Sequence, residues 1–243
     1  MTAASREMIR GVIELGETMT REVMVPRTAM VTIHAGKTVR QAMSLLLRSG
    51  HSRLPVTGES SDDIQGVVYL KDIALALFRD PAVSSTAAVT FARPALFVPE
   101  SKPVDSLLRE LQACGTHLVI VADEFGGVAG LVTVEDILEE IVGELQDEHD
   151  ADLPQVEDLG DGVYRLPAVL PLDELEEVFG REIDSDEVDT VGGLLATALG
   201  RVPVTGARAV AQGLELTAER TEGRRKQIST VLARDTHPPV GHS

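Results

Sequence analysis

Gly130-Leu131-Val132-Thr133-Val134-Glu135-Asp136-Ile137 decides the fold of this chain, because the chain holds the same pattern twice. The earlier copy is Gly66-Val67-Val68-Tyr69-Leu70-Lys71-Asp72-Ile73. Each copy reads as a short apolar strand running directly into a helix. Thr133 and Asp136 stand at the spacing of a capping box, in which a hydroxyl and a carboxylate satisfy backbone N–H groups at a helix start. The earlier copy keeps Asp72 but puts Tyr69 where Thr133 stands.

The repeat extends outward from there. Val31–Ile73 aligns with Leu96–Ile137 at a shift of roughly 65 residues, Val39 matching Val104 and Gly50 matching Gly115. Val39, Ala42, Met43 and Leu46 lie at i, i+3, i+4 and i+7, as do Val104, Leu107, Leu108 and Leu111, so each copy predicts a helix with one apolar stripe. Gly50 and Gly115 stop these helices. Strands are predicted at Leu54–Thr57 and Gly66–Leu70 in the first copy, and at Leu118–Val121 and Val128–Val132 in the second. Helices beginning near Lys71 and Val134 follow. Each copy is therefore a β-α-β-β-α unit. One such unit has too little interior to bury both of its helices, so two should share a core and leave clefts between them.

Composition narrows the function. Aromatic residues are only 3% of the chain and Trp is absent, so the core must be aliphatic. The net charge of −17 repels phosphate backbones, which excludes general nucleic-acid binding. Cys114 is the only cysteine, which excludes an internal disulfide and a cysteine-rich zinc site. The longest apolar runs, such as Leu118–Ala122, fall far short of the roughly 20 residues of a membrane helix. No Ser-His-Asp order, metal-ligand motif or pair of catalytic carboxylates supports an enzyme.

Four stretches carry a resemblance to a known family. The β-α-β-β-α tandem resembles a pair of cystathionine-β-synthase-type (CBS) domains, the Bateman module. Glu22-Val23-Met24-Val25-Pro26-Arg27 and His51-Ser52-Arg53-Leu54-Pro55-Val56 resemble the first CBS domain of the CorC/HlyC family. Asp123-Glu124-Phe125-Gly126-Gly127, with the segment quoted first, resembles the second. Glu187-Val188-Asp189-Thr190-Val191-Gly192-Gly193-Leu194 resembles its transporter-associated domain. The expected fold class is thus α+β: a tandem CBS pair followed by a small α+β domain. The expected boundaries are 1–22 for an N-terminal linker helix, 23–82 and 90–146 for the CBS domains, 147–155 for an acidic linker, 156–235 for the transporter-associated domain and 236–243 for a tail. Many members of the family carry a membrane domain ahead of this region, and Arg6–Gly11 resembles the helix that joins the two. The expected setting is cytoplasmic, as a short form or as the cytosolic part of a plasma-membrane protein.

The resemblance also implies a function. The chain is expected to be the regulatory module of a magnesium and cobalt efflux system, binding ATP or AMP, with or without Mg2+, in a cleft of the CBS pair. The alternative is a scaffold that only dimerises. The residues implied at the nucleotide are Val25, His51, Ser52, Arg53, Leu54, Pro55, Thr133 and Asp136, with Thr133 and Asp136 meeting the ribose and Arg53 offering its fork of donors to phosphate. The cleft around Asp72 has Tyr69 for the Thr and Leu118 for the Arg, and is expected to be weak or empty. The expected partners are a second copy, paired through apolar second helices that include Ile137, Leu138 and Ile141, and a membrane transporter domain.

Beyond the pair, Glu144–Asp152 is acidic and contains His149. It reads as a solvated linker ahead of Pro154 rather than a metal site. A mixed α and β pattern follows: a strand at Val163–Leu166, helices at Leu172–Phe179 and from Val191, and strands at Ala207–Ala211, Leu214–Ala218 and Gln227–Leu232. This domain resembles a flavin-binding domain in fold, but it has no Gly-rich phosphate loop, so flavin is not expected. Gly223–Lys226 reads as a basic hairpin turn.

Overall fold

An apolar stripe on a helix has to be covered by a sheet, and both repeats solve this in the same way. The structure, a computed structural model, describes residues 12, 15–142, 155–183, 185, 188–222 and 227–236. The acidic stretch 144–152 and the basic turn 223–226 lie outside the described residues. The chain divides into two compact units: residues 1–46 and 51–147 form one, 47–50 and 148–243 the other.

The first unit includes a single helical turn, α1 (Thr20–Val23), and strand β1 (Val25–Pro26). The first repeat then runs β2 (Ile33–His34), α2 (Val39–Ser49), β3 (Arg53–Thr57), β4 (Ile64–Tyr69) and α3 (Leu70–Arg79). The second runs β5 (Phe97–Pro99), α4 (Val104–Cys114), β6 (Leu118–Ala122), β7 (Val128–Thr133) and α5 (Val134–Val142). The predicted elements are found with ends displaced by a residue or two. Gly50 and Gly115 follow α2 and α4 with φ of 68° and 63°, the left-handed conformation that glycine takes without cost. Cys114 is exposed at the end of α4.

Within each repeat the first strand is parallel to the second and the second antiparallel to the third. Strand alternation divides the side chains into two layers. Leu54, Val56 and Val68 face the helices of the first repeat, in a cluster with Val39, Ala42, Leu46 and Ile73. Val119, Val121 and Val132 do the same in the second, with Leu107, Leu111 and Ile137. The opposite faces supply a third cluster, made of Met30 and Val67 from the first repeat and Leu118, Ile120, Val128 and Leu131 from the second. The two sheets thus share a core, as the two-unit reading requires.

The lead-in segments are exchanged between the repeats. β1 comes before the first repeat in the chain but pairs with β7 of the second, Val25 opposite Leu131 and Pro26 opposite Gly130. Leu15 and Val23 lie in the second repeat's core. The segment before the second repeat returns the exchange: Arg93 and Val67 trade N–H···O bonds at 2.9 Å in both directions. Val104 N–H donates to Thr18 C=O at 3.0 Å, and its counterpart Val39 donates to Thr86 C=O at 2.9 Å. Thr18–Val25 and Thr86–Arg93 are therefore equivalent, which makes Val25 the counterpart of Arg93.

The second unit contains β8 (Glu157–Asp158), β9 (Val163–Pro167), α6 (Leu172–Phe179), α7 (Val191–Leu199), β10 (Arg208–Ala211), β11 (Leu214–Glu222) and β12 (Gln227–Asp235). Its strands form an antiparallel sheet in the order β10-β11-β12-β9-β8. Leu166, Leu175, Leu195, Leu214, Leu216 and Val231 form its core, all fully buried. Thr190 caps α7, its hydroxyl accepting the Gly193 N–H at 3.2 Å.

Candidate functional site

Thr133 and Asp136 sit where β7 becomes α5. The capping box forms as its spacing predicts: Asp136 Oδ2 accepts the Thr133 N–H and the Thr133 hydroxyl, each at 2.7 Å, and the Asp136 N–H donates to Thr133 Oγ1 at 3.2 Å. Asp136 is buried, 9% exposed, a rare setting for a carboxylate. Its Oδ1 has no donor among the described residues. One oxygen therefore holds the helix start and the other stays available to a ligand.

Val25 reaches this place on β1, beside β7. Arg53 arrives from the other repeat at the start of β3. Its side chain is 20% exposed, and its Nη1 lies 3.7 Å from Glu135 Oε1, at the outer limit of an ion pair. Its Nε is buried without a hydrogen-bond partner. The guanidinium carbon stands 5.7 Å from the centre of the Tyr69 ring. A buried, unpartnered N–H is costly, and the charge of this cation is met only by the long contact to Glu135 and the Tyr69 ring face.

The other expected residues divide. Ser52 is exposed, and its carbonyl takes the Leu70 N–H at 2.9 Å, as the His117 carbonyl takes that of Val134 at 3.1 Å. His51 is half-buried and Pro55 is buried. Leu54 is wholly buried in the helix-facing core of the first repeat, so its side chain is not placed to meet a ligand. Period-two alternation sends Arg53 and Leu54 to opposite faces.

The second cleft is built from matching positions with different side chains. Arg53 pairs with Tyr69 across β3 and β4, as Leu118 pairs with Thr133 across β6 and β7. Asp72 is already paired there. Arg93 Nε donates to Asp72 Oδ2 and Nη2 to Oδ1, each at 2.8 Å. The same guanidinium lies 4.6 Å from the Tyr69 ring centre. Sequence reasoning missed Arg93. The signal was present, since Val25-Pro26 and Arg93-Pro94 are matching dipeptides ahead of the two repeats. Among the described residues no cluster of three or more His, Cys, Asp or Glu side chains is placed to hold a metal ion, and no helix is long and apolar enough to cross a membrane.

Comparison with known proteins finds the CBS-domain family profile at residues 15–79 and 89–143, and the profile of the transporter-associated domain at 157–236. The magnesium and cobalt efflux protein CorC of Escherichia coli is 37% identical over 237 residues, covering 97% of this chain and 80% of its own length. The chain belongs to the CorC/HlyC family. A UPF0053 protein of Mycobacterium tuberculosis is 52% identical over 243 residues, and there the match spans 98% of this chain and 56% of the relative. The chain thus spans just over half the length of that relative. Among solved structures, the CBS domain of a bacterial CNNM/CorC family Mg2+ transporter superposes with a TM-score of 0.56 at 43% identity, covering 60% of this chain and 88% of that one. A CBS domain of this transporter family in complex with ATP superposes with a TM-score of 0.55 at 44% identity, covering 58% and 99%. The family and the tandem CBS architecture are those expected from the repeat and the four motifs.

Proposed function

We propose that this chain is the regulatory module of a CorC-type magnesium and cobalt efflux system, and that it binds one adenine nucleotide in the cleft holding Thr133, Asp136 and Arg53. The observation that carries this reading is Asp136: a buried carboxylate with one oxygen spent on the capping box and the other without a donor among the described residues. A vicinal diol fits such an oxygen, as charge-assisted hydrogen bonds favour it over water. Arg53, whose guanidinium reaches Glu135 only at 3.7 Å, supplies the cation for phosphate. The likeness to a CBS domain whose structure was solved in complex with ATP supports the choice of nucleotide. Nucleotide binding would bias a conformational equilibrium that an attached transporter domain reads.

Calorimetric titration with ATP, ADP and AMP, each with and without Mg2+, tests the proposal. Asp136→Ala should weaken binding by about 1.5–3 kcal/mol, roughly 10- to 150-fold. Unchanged affinity in that variant would remove Asp136 from the site. Absence of any binding leaves the scaffold reading, which the exposed Leu75 and Phe78 on α3 and Leu138 on α5 favour.

A further inference from the structure

We infer that Arg93 is a built-in occupant of the cleft around Asp72, holding shut a second site for a nucleoside. This deepens the proposed function, since it rests on reading the matching cleft around Asp136 as the nucleotide site.

The backbone makes the two clefts comparable. Val25 lies opposite Leu131, and Arg93 is bridged to Val67, the counterpart of Leu131. Arg93 therefore enters its cleft from the position that Val25 holds in the other. There the similarity ends. Val25 presents a short apolar side chain. Arg93 presents a planar cation that engages both Asp72 oxygens at 2.8 Å and lies 4.6 Å from the centre of the Tyr69 ring. The Asp136 cleft keeps one carboxylate oxygen without a donor among the described residues; in the Asp72 cleft each oxygen already accepts an N–H from Arg93. A sugar diol would need those oxygens, and a flat base would need the aromatic face. The guanidinium takes both kinds of contact.

A surface ion pair is the plainer account, since the Arg93 side chain is 60% exposed. Such a pair contributes little to stability. The two accounts diverge when the side chain is removed. Backbone bonds hold Arg93 to Val67, so Arg93→Ala should fold as the wild type does. If Arg93 only decorates the surface, nothing else changes. If it occupies a site, the site opens. The ligand class is an uncharged nucleoside with an intact vicinal diol, because Leu118 stands where the other cleft has Arg53 and offers phosphate no cation.

The experiment is equilibrium dialysis of the full chain against adenosine, with 2′-deoxyadenosine as control. Arg93→Ala should bind one equivalent more than the wild type, at least tenfold more tightly than any wild-type uptake at that cleft. The added equivalent should vanish in Arg93→Ala/Asp72→Ala and be absent with 2′-deoxyadenosine. No added uptake by an Arg93→Ala chain whose circular dichroism and urea midpoint match the wild type overturns the inference. So does added uptake that survives the loss of Asp72, or a wild type that already binds two equivalents. If Arg93→Ala perturbs the fold, Arg93→Met keeps the stem and the same counts decide. Failure of the proposed function looks different: wild type binds nothing, while Arg93→Ala binds a single Asp72-dependent equivalent.

Discussion

Asp62 ties the two repeats together from an exposed turn. Its Oδ1 accepts the Val128 N–H at 2.8 Å, and Arg27 Nη1 lies 2.9 Å from the same atom. The Val128 N–H, with the Arg27 guanidinium second among the favourable causes, holds the carboxyl below its ordinary value of 3.8 against the opposing effect of desolvation. Glu219 in the second unit is lowered in the same sense, chiefly by hydrogen bonds from Arg165 at 2.7 and 2.8 Å. A carboxyl whose folded pKa is depressed contributes stability above its unfolded pKa and loses it as pH falls through the folded value. The stability advantage of wild type over Asp62→Asn should therefore be full at neutral pH and shrink as pH drops below about 4. Urea midpoints measured from pH 7 to pH 2.5 check this, and parallel curves for the two proteins would contradict it.

The exchange of lead-in segments depends on two glycines. Gly130 lies under β1, where an added Cβ would sit well inside contact distance of the Val25 carbonyl oxygen. Gly66 lies under the Arg93 segment, where a Cβ would stand 2.6 Å from the Arg93 carbonyl oxygen, and its φ of 151° is one that L-residues rarely adopt. Each glycine lets a crossing backbone lie close against a sheet edge. Gly130→Ala should push β1 away from β7 and cost about 1–3 kcal/mol by overpacking. It should also weaken nucleotide binding, since Val25 moves with β1. An unchanged denaturation midpoint would show that β1 can shift without loss.

At the scale of the whole molecule, the question is what covers the apolar residues left outside. Phe78 is 87% exposed on α3, with Leu75 at 42%, and Leu138 on α5 is 42% exposed. Of the three residues expected at a dimer contact, Ile137 is unavailable: it is fully buried in its own repeat's core, with Ile141 packed against the same cluster. We expect a homodimer through α3 and α5, built on Phe78, Leu75 and Leu138. Two chains that each carry −17 repel at long range, so association should strengthen with added salt. Light scattering at tens of micromolar should give a dimer mass, and Phe78→Glu/Leu138→Glu should give a monomer. A monomeric wild type at high salt would rule the contact out.

What the sequence determined by itself is what periodicity and short spacing can carry. The apolar stripes of α2 and α4 are local, as is the Thr133–Asp136 box, whose partners are three positions apart. The repeat doubled each of these signals, so Tyr69 for Thr133 and Leu118 for Arg53 stood out without a structure. The motif stretches carried the family. Tertiary structure alone decided which sheet each lead-in segment joins, because a two-residue strand such as β1 has no periodicity to read. It also decided contacts between distant residues: Arg93 on Asp72, 21 positions away, and Asp62 on the Val128 N–H, 66 positions away. Helix spacing made Ile137, Leu138 and Ile141 one apolar stripe, but a stripe does not say which edge faces outward. That was decided by the depth to which the sheet buried Ile137.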